Sequence, residues 1–347
     1  MITNFVSAVF VFTTIFVHIV GQKVQESHFA GSNGGTCGER EGIGTDIQFR
    51  APGCLSASAR GLIVCDDHNR KLRLIPIDKK NFGQPERSRT IFSSSGSLSA
   101  VTESANGEIF VADVHNQQIQ KIGNGKVIVI AGHQVSPAMP TVDGRGQDAT
   151  FKRPQAIVTD SHLNIYVADS LDQKIRCIAR RSNIVTTLAG SGLSGFVDGA
   201  GSKARFQQPS SLALWHDTIL VADTGNNAIR AVDISSATVS LVAGSKLGDG
   251  GWSDGVGSKC LFQAPSAIER LGDMLIVVER GGGRVRTIHL VSRSSRTLHS
   301  LPTVAMQSLP TFAKASGLAS FFPPPPAPKT VSASPSTNKS EDPLFVV

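Results

Sequence analysis

A run of apolar residues that ends in an acid and is followed seven places later by a base recurs along this chain. The fullest copy is Thr218-Ile-Leu-Val-Ala-Asp-Thr-Gly-Asn-Asn-Ala-Ile-Arg230, which reads as strand, polar turn, strand. Variants span residues 63–73, 109–119, 165–176 and 275–286. The acidic positions are Asp66, Asp113, Asp169, Asp223 and Glu279, in steps of 47, 56, 54 and 56 residues. A period near fifty points to an array of small units that each bury an apolar face against the next.

The flanks of the copies repeat as well. A Gly-rich acidic loop comes first, as in Glu41-Gly-Ile-Gly44, Asp143-Gly-Arg-Gly146, Asp198-Gly-Ala-Gly201 and Asp254-Gly-Val-Gly257. A Phe-x-x-Pro step follows at Phe49–Pro52, Phe151–Pro154, Phe206–Pro209 and Phe262–Pro265. Each unit closes on a strand ending in Ala-Gly, at Gly132, Gly190 and Gly244. That gives four strands per unit, the content of a propeller blade. Unit two, from about Lys79 to Gly132, lacks both the acidic loop and the Phe step and reads as a degenerate but complete blade. His28-Phe-Ala-Gly-Ser32 is a unit-closing strand placed before any unit. In a ring it is expected to complete the last blade and tie the two ends together, leaving no bare edge.

With Asp198-Gly-Ala-Gly-Ser-Lys-Ala-Arg-Phe-Gln-Gln-Pro209 followed by Val221-Ala-Asp-Thr-Gly-Asn-Asn-Ala-Ile-Arg230, the chain resembles the NHL-repeat family. The resemblance implies an all-β fold, a β-propeller often of six blades, with five clear repeats here. It implies no single activity, because function sits on the loops such a scaffold carries. The expected organisation is a signal peptide over 1–21, a propeller over 28–301 and a Pro/Ser-rich tail over 302–347. Within that tail Phe321-Phe-Pro-Pro324 and Asp342-Pro-Leu-Phe-Val-Val347 echo a further unit, so a sixth blade cut short and a disordered tail both stand.

No Asp, Glu, Lys or Arg occurs in the first 21 residues, and Phe5 to Val20 is almost wholly apolar. This predicts a cleaved secretory signal, with an uncleaved anchor as the alternative. The net charge of +7 is spread out rather than gathered in runs. None of the five cysteines forms a Cys-x-x-Cys pair, and no Cys/His group has zinc spacing, so neither metal nor cofactor is expected. Cys54 and Cys65 lie symmetrically about a turn near Arg60, so a disulfide and two buried thiols both fit.

The repeated acids suggest chemistry, but their spacing suggests scaffold. Asp66 with Arg73, Asp169 with Arg176, Asp223 with Arg230 and Glu279 with Arg286 share one offset, and Asp113 meets Gln120. A tight hairpin puts each pair directly opposite across two strands. Strand direction alternates, so the Gly-rich loops and these hairpin turns share one face. The binding residues expected there are His68, Arg70, Lys71, His115, Gln117, Asp172, Asn226, Asn227 and Arg284, with Trp252 as an aromatic anchor. Asn69 and Lys174 belong to the same turns.

The function expected is a non-catalytic binding scaffold, secreted or in the secretory lumen, that offers this face to a protein, peptide or glycan. Similarity to the propeller of peptidyl-hydroxyglycine amidating lyases raises a zinc-dependent lyase as an alternative, with His68 and His115 as its histidines. RNA binding is a third reading, opposed by the apparent leader. No catalytic residue is assigned.

Overall fold

A computed structural model describes residues 37–78, 84–123, 126–136, 138–281 and 283–300, and the strands at 9–11, 14–16, 19–20, 23–24 and 28–31. The tail over 302–347 lies outside the described residues, and with it both readings of its end. Strands and single-turn 3-10 helices make up the described regular structure. The fold is an all-β five-bladed propeller.

Blade four shows how the repeat folds. Its strands are Pro209–Trp215, Thr218–Asp223, Ala228–Asp233 and Thr238–Gly244, each antiparallel to the next. Proline opens the first strand, where its missing N–H leaves no ladder bond unmade. The second strand is buried along five consecutive residues, from Ile219 to Asp223. It runs through the middle of the sheet with neighbours on both faces, which is why its sequence is continuously apolar rather than alternating. The other blades follow the plan, with first strands at Pro52–Ser58, Leu98–Glu103, Pro154–Thr159 and Pro265–Leu271. Successive first strands adjoin from blade one to blade five and so line the axis.

The core lies between blades. Ala213, Leu220, Ala222 and Ile229 of blade four meet Phe262, Ile268, Leu275 and Val277 of blade five in one buried cluster. The Phe of each Phe-x-x-Pro step is fully buried, Phe151, Phe206 and Phe262 in such seams and Phe49 on the flank of blade one.

Four expectations need correction. Blades three, four and five carry a fifth strand, not four: Gly144–Arg145, Gly199–Ala200 and Gly255–Val256 pair with the outer strand of the blade they introduce. The Gly-rich loop thus lies along an edge that would otherwise offer unpaired backbone groups. Arg89–Ser93, read as part of unit two, is the outer strand of blade one, where it pairs with Lys71–Asp78. His28–Gly31 does not complete blade five, whose own outer strand is Ser294–Ser300. It pairs with Thr14–Phe16, and Ala30 is buried with Ile47, Phe49 and Leu62 beside blade one.

The fourth concerns the acid and the base. Asp223 faces Ala228 and Val221 faces Arg230, so the two are not directly opposite. The same holds for Asp66 and Lys71, Asp113 and Gln118, Asp169 and Lys174, and Glu279 and Arg284, which are the true facing pairs. The turn explains the difference. Four residues, 224–227, separate the strands, as one 3-10 turn closed by Asn227 at φ 52°. The seven-residue offset is therefore a diagonal, which only a side chain as long as arginine crosses.

Gly244 ends the outer strand at φ +116°, and a Cβ there would lie 2.7 Å from the Asn227 carbonyl oxygen. Gly132 and Gly190 are placed alike against Gln117 and Gln173. Gly244→Ala is expected to lower unfolding free energy by roughly 1–3 kcal/mol. Gly257 at φ +57° has open space around it, and its alanine variant should cost visibly less in the same urea titration. Equal losses would contradict the close-approach account.

Candidate functional site

The repeated residues converge on one buried node per blade. In blade four, Arg230 spends all five N–H groups of its guanidinium. Nε donates to Asp198 at 3.0 Å, Nη1 to Asp223 at 2.9 Å and to the Arg205 carbonyl, and Nη2 to the Val197 carbonyl and Asp198. The Phe196 and Phe206 rings lie 4.2 and 5.3 Å from the guanidinium carbon. Asp223 also accepts the Gln207 amide at 2.7 Å. The acidic loop, the Phe step and the hairpin are thus held by one arginine.

The node recurs with variations. Arg73 reaches Asp66 at 3.3 Å and the Arg40 carbonyl, Arg176 reaches Asp143 at 2.6 Å and Asp169 at 3.8 Å, and Arg286 reaches Glu279 at 3.1 Å and Asp254 at 2.8 Å. Asp143 and Asp254 also accept the Thr187 and Thr297 amides of the outer strand, and Glu41 accepts that of Thr90. In blade two Gln120 stands where arginine would and donates to Asp113 at 3.3 Å. These acids and bases consume one another inside the scaffold.

Burial pushes Asp169 and Asp223 up to about 6, against the opposing pull of backbone amides and arginine. Asp143 and Asp254 feel burial too, but the threonine amides and the Arg176 and Arg286 guanidiniums outweigh it and hold both below the usual range. The raised pair binds more protons folded than unfolded between about pH 4 and 6, so the stability it contributes falls as pH rises through that window. The lowered pair contributes stability that is lost as pH falls below about 4. The urea midpoint is therefore expected to be higher near about pH 5 than near about pH 7.5, then to drop in stronger acid. A steady decline from neutral to about pH 5 would contradict these assignments.

Hairpin turns and inter-blade loops meet on one face, as direct bonds show. Asn226 donates to the Gly195 carbonyl and Asn227 to that of Gly248, both across to the loops. Lys71 pairs with Glu39 at 2.8 Å, and Asn69 donates to the Gly38 carbonyl.

The ten predicted binding residues divide. His68, Arg70 and His115 are exposed. Trp252 is 53% exposed, with the Arg284 guanidinium 4.9 Å from its ring centroid. Gln117, Asp172 and Asn226 are buried, contrary to expectation. Gln117 bonds the Lys152 carbonyl and the Val135 amide, Asp172 pairs with Lys174 at 2.7 Å and Lys152 at 3.3 Å, and Asn226 also bonds Asp223. Their amides and carboxylate satisfy loop backbone and lysines that would otherwise be left without partners. Asn227 is similarly tied, accepting the Ala264 amide at 2.8 Å.

Sequence reasoning passed over the apolar part of this face. Met139, Leu171, Leu193 and Leu247 stand on its loops and turns at 57, 41, 57 and 86% exposure. It passed over two arginines that break the repeat as well. Arg153 occupies the last place before Pro154, and Arg280 follows Glu279, where the other blades carry Asp67, Val114, Ser170 and Thr224. Aligning the five copies against one another exposes both as departures from the repeat.

Cys54 faces Cys65 in the ladder of blade one, and the two form a disulfide with Cα atoms 5.0 Å apart. Among the described residues no group of three His, Cys, Asp or Glu is arranged to hold a metal ion. Also among them, no helix is long and apolar enough to cross a membrane.

No family model matches the chain. It is 30% identical over 160 residues to NHL repeat-containing protein 2 of Bos taurus, a stretch covering 43% of this chain and 22% of that protein. The chain thus spans about a fifth of that relative's length, and the likeness is a distant NHL-repeat-like homology. Among solved structures it superposes on a nidogen/laminin complex chain with a TM-score of 0.54 at 15% identity, covering 86% of this chain and 94% of that one. An auxiliary nutrient binding protein from Bacteroides ovatus gives 0.53 at 14% identity, covering 82% and 66%. At those identities the likeness concerns the fold alone.

Proposed function

We propose that this chain is a non-catalytic binding scaffold, secreted or held in the secretory lumen, that presents the face of hairpin turns and inter-blade loops to a protein partner. The observation that carries this reading is the exposed apolar set Met139, Leu171, Leu193, Leu247 and Trp252 on one face. These five stand on the loops and turns of that side, and a partner covering the side would remove them from water together. The repeated charged residues do not compete for the role, since the nodes consume them. The apolar leader-like segment and the Cys54–Cys65 disulfide support an oxidising compartment.

The test compares photo-crosslinking from position 247 with crosslinking from position 291, where Val291 is 68% exposed in the turn between the last two strands of blade five, on the opposite face. A discrete crosslinked species is expected from 247 and none from 291. The same species from both positions, or from 291 alone, would overturn the reading. For the compartment, amino-terminal sequencing of protein recovered from medium should begin beyond Gly21.

A further inference from the structure

We infer that the bare outer edge of blade two, the strand Lys126–Ala131, is a pairing surface for the same strand of a second copy of this chain, joined about a twofold axis at Ile128. The surface is separate from the loop face and stands independently of it.

Comparison of the blades isolates this edge. In blades three, four and five the outer strand is covered by the two-residue strand that introduces the blade. In blade one the acidic loop serves instead, since the Ser88 amide donates to the Gly42 carbonyl at 2.7 Å and Glu41 accepts the Thr90 amide. Blade two has no such loop, because the stretch that would supply it, Arg89–Ser93, is the outer strand of blade one. Among the described residues, Lys126–Ala131 pairs only with Gln118–Gly123, and the outward amides and carbonyls of residues 126–129 meet no protein group.

The side chains agree with the backbone. Val127 holds the place of Val185 and Val239, judged by the residue each faces on the third strand. Those two are 0 and 1% exposed, whereas Val127 is 39% exposed. Ile128, at 56%, stands where the covered blades carry the polar Thr186, Ser240 and Arg296. Blade two is thus apolar at the places where it lacks cover. An apolar edge with unpaired backbone groups is a template for another strand.

A second copy of the same strand fits this template. Outward-facing backbone groups occur on alternate residues, so an antiparallel pair related by a twofold must be centred on a residue. Centring on Ile128 sets the most exposed apolar side chain of the strand against its own copy. It also sets Val127 against Val129 of the other copy, on the opposite face of the sheet, so both faces bury apolar groups. Lys121, beside Ile128 in the sheet, is already paired with Glu108. The two Lys126 residues fall at opposite ends of the pair, roughly 13 Å apart and beyond the screening length of about 8 Å. Antiparallel pairing turns one copy over, which leaves both loop faces free and looking in opposite directions. A single strand pair is small beside the roughly 1,200–2,000 Å² of standard interfaces, so the dimer is expected to be weak.

The full chain is followed by sedimentation velocity at rising concentration, and by oxidative crosslinking in a Cys37→Ser background that removes the exposed thiol. Ile128→Cys is expected to give a covalent dimer, since facing Cα atoms of an antiparallel pair lie within disulfide reach. Thr186→Cys, at the matching exposed place of covered blade three, is expected to give none. In sedimentation, Ile128→Lys and Ile128→Glu should each dimerise about tenfold or more weakly than the parent, because like charges meet across the axis. An equimolar mixture of the two should recover the association, because opposite charges then meet. A parent that stays monomeric, with no crosslink from Ile128→Cys, would overturn the inference. Equal crosslinking from Thr186→Cys, or a mixture that associates no better than either variant alone, would overturn it as well.

Discussion

Arg230→Met is expected to lower the unfolding free energy by about 3–5 kcal/mol, read from urea denaturation at neutral pH. The side chain is fully buried, and its five N–H groups serve two carboxylates and two carbonyls. Methionine keeps much of the volume and none of the donors. Asp223 would then lie fully buried facing no cation, with the Arg205 and Val197 carbonyls deprived as well. Such a loss is a large share of the about 5–15 kcal/mol that typically separates folded from unfolded states. Arg70→Ala, at an exposed turn, should change the unfolding free energy by no more than about 0.5 kcal/mol. Should both variants unfold at the parent's midpoint, the node contributes no stability and the repeat needs another explanation.

Phe206→Ala should cost about 3–5 kcal/mol by the same measure. The ring is fully buried in the seam between blades three and four, among Tyr166, Ala168, Val221 and Val232. Its removal leaves a cavity in a seam whose strands are fixed by their own ladders and cannot close over it. It also takes one of two rings from Arg230, since Phe196 remains at 4.2 Å. Phe206→Leu should recover much of the loss by refilling the seam. Because ring and guanidinium touch, the double variant with Arg230→Met should lose less than the sum of the two. Strict additivity would show that the ring acts through packing alone.

The fold was legible in the sequence because four of the five blades build the same arginine node, and only blade two, with Gln120 in place of the arginine, departs from it. Asp198, Phe206, Asp223 and Arg230 are fixed relative to one another by a single guanidinium, and the repeat displays that constraint directly. The register was less legible. The shared offset suggested a tight hairpin with acid directly opposite base, whereas the left-handed Asn227 closes a four-residue turn that makes the pair a diagonal. Blade one hid its outer strand for a different reason: Arg89–Ser93 lacks the Ala-Gly ending that marks Gly132, Gly190 and Gly244.

The candidate face was half legible. Topology placed the right loops together, but not the burial of their side chains. Gln117 and Asn226 look like any turn residues, and their partners at Lys152 and Gly195 lie some thirty residues away. Only the folded arrangement shows that these amides belong to the scaffold. The apolar tips at Leu193 and Leu247 did have a repeat to announce them, Ala189-Gly-Ser-Gly-Leu193 and Ala243-Gly-Ser-Lys-Leu247, which the reading of the Ala-Gly endings stopped short of.

The Gly-rich loop that lies along the outer edge of its own blade has an evolutionary reading. Gly144 pairs with Val185, Gly199 with Val239 and Gly255 with Ser295, so each of these blades is begun and finished by one contiguous segment. Duplicating such a segment in a gene would add a finished blade with its edge already guarded, and would borrow no strand from either neighbour. The even steps of 56, 54 and 56 residues between Asp113, Asp169, Asp223 and Glu279 fit growth by copying whole blades. The freedom to change then falls to the loop tips, where new partners can be acquired without disturbing a single guanidinium node.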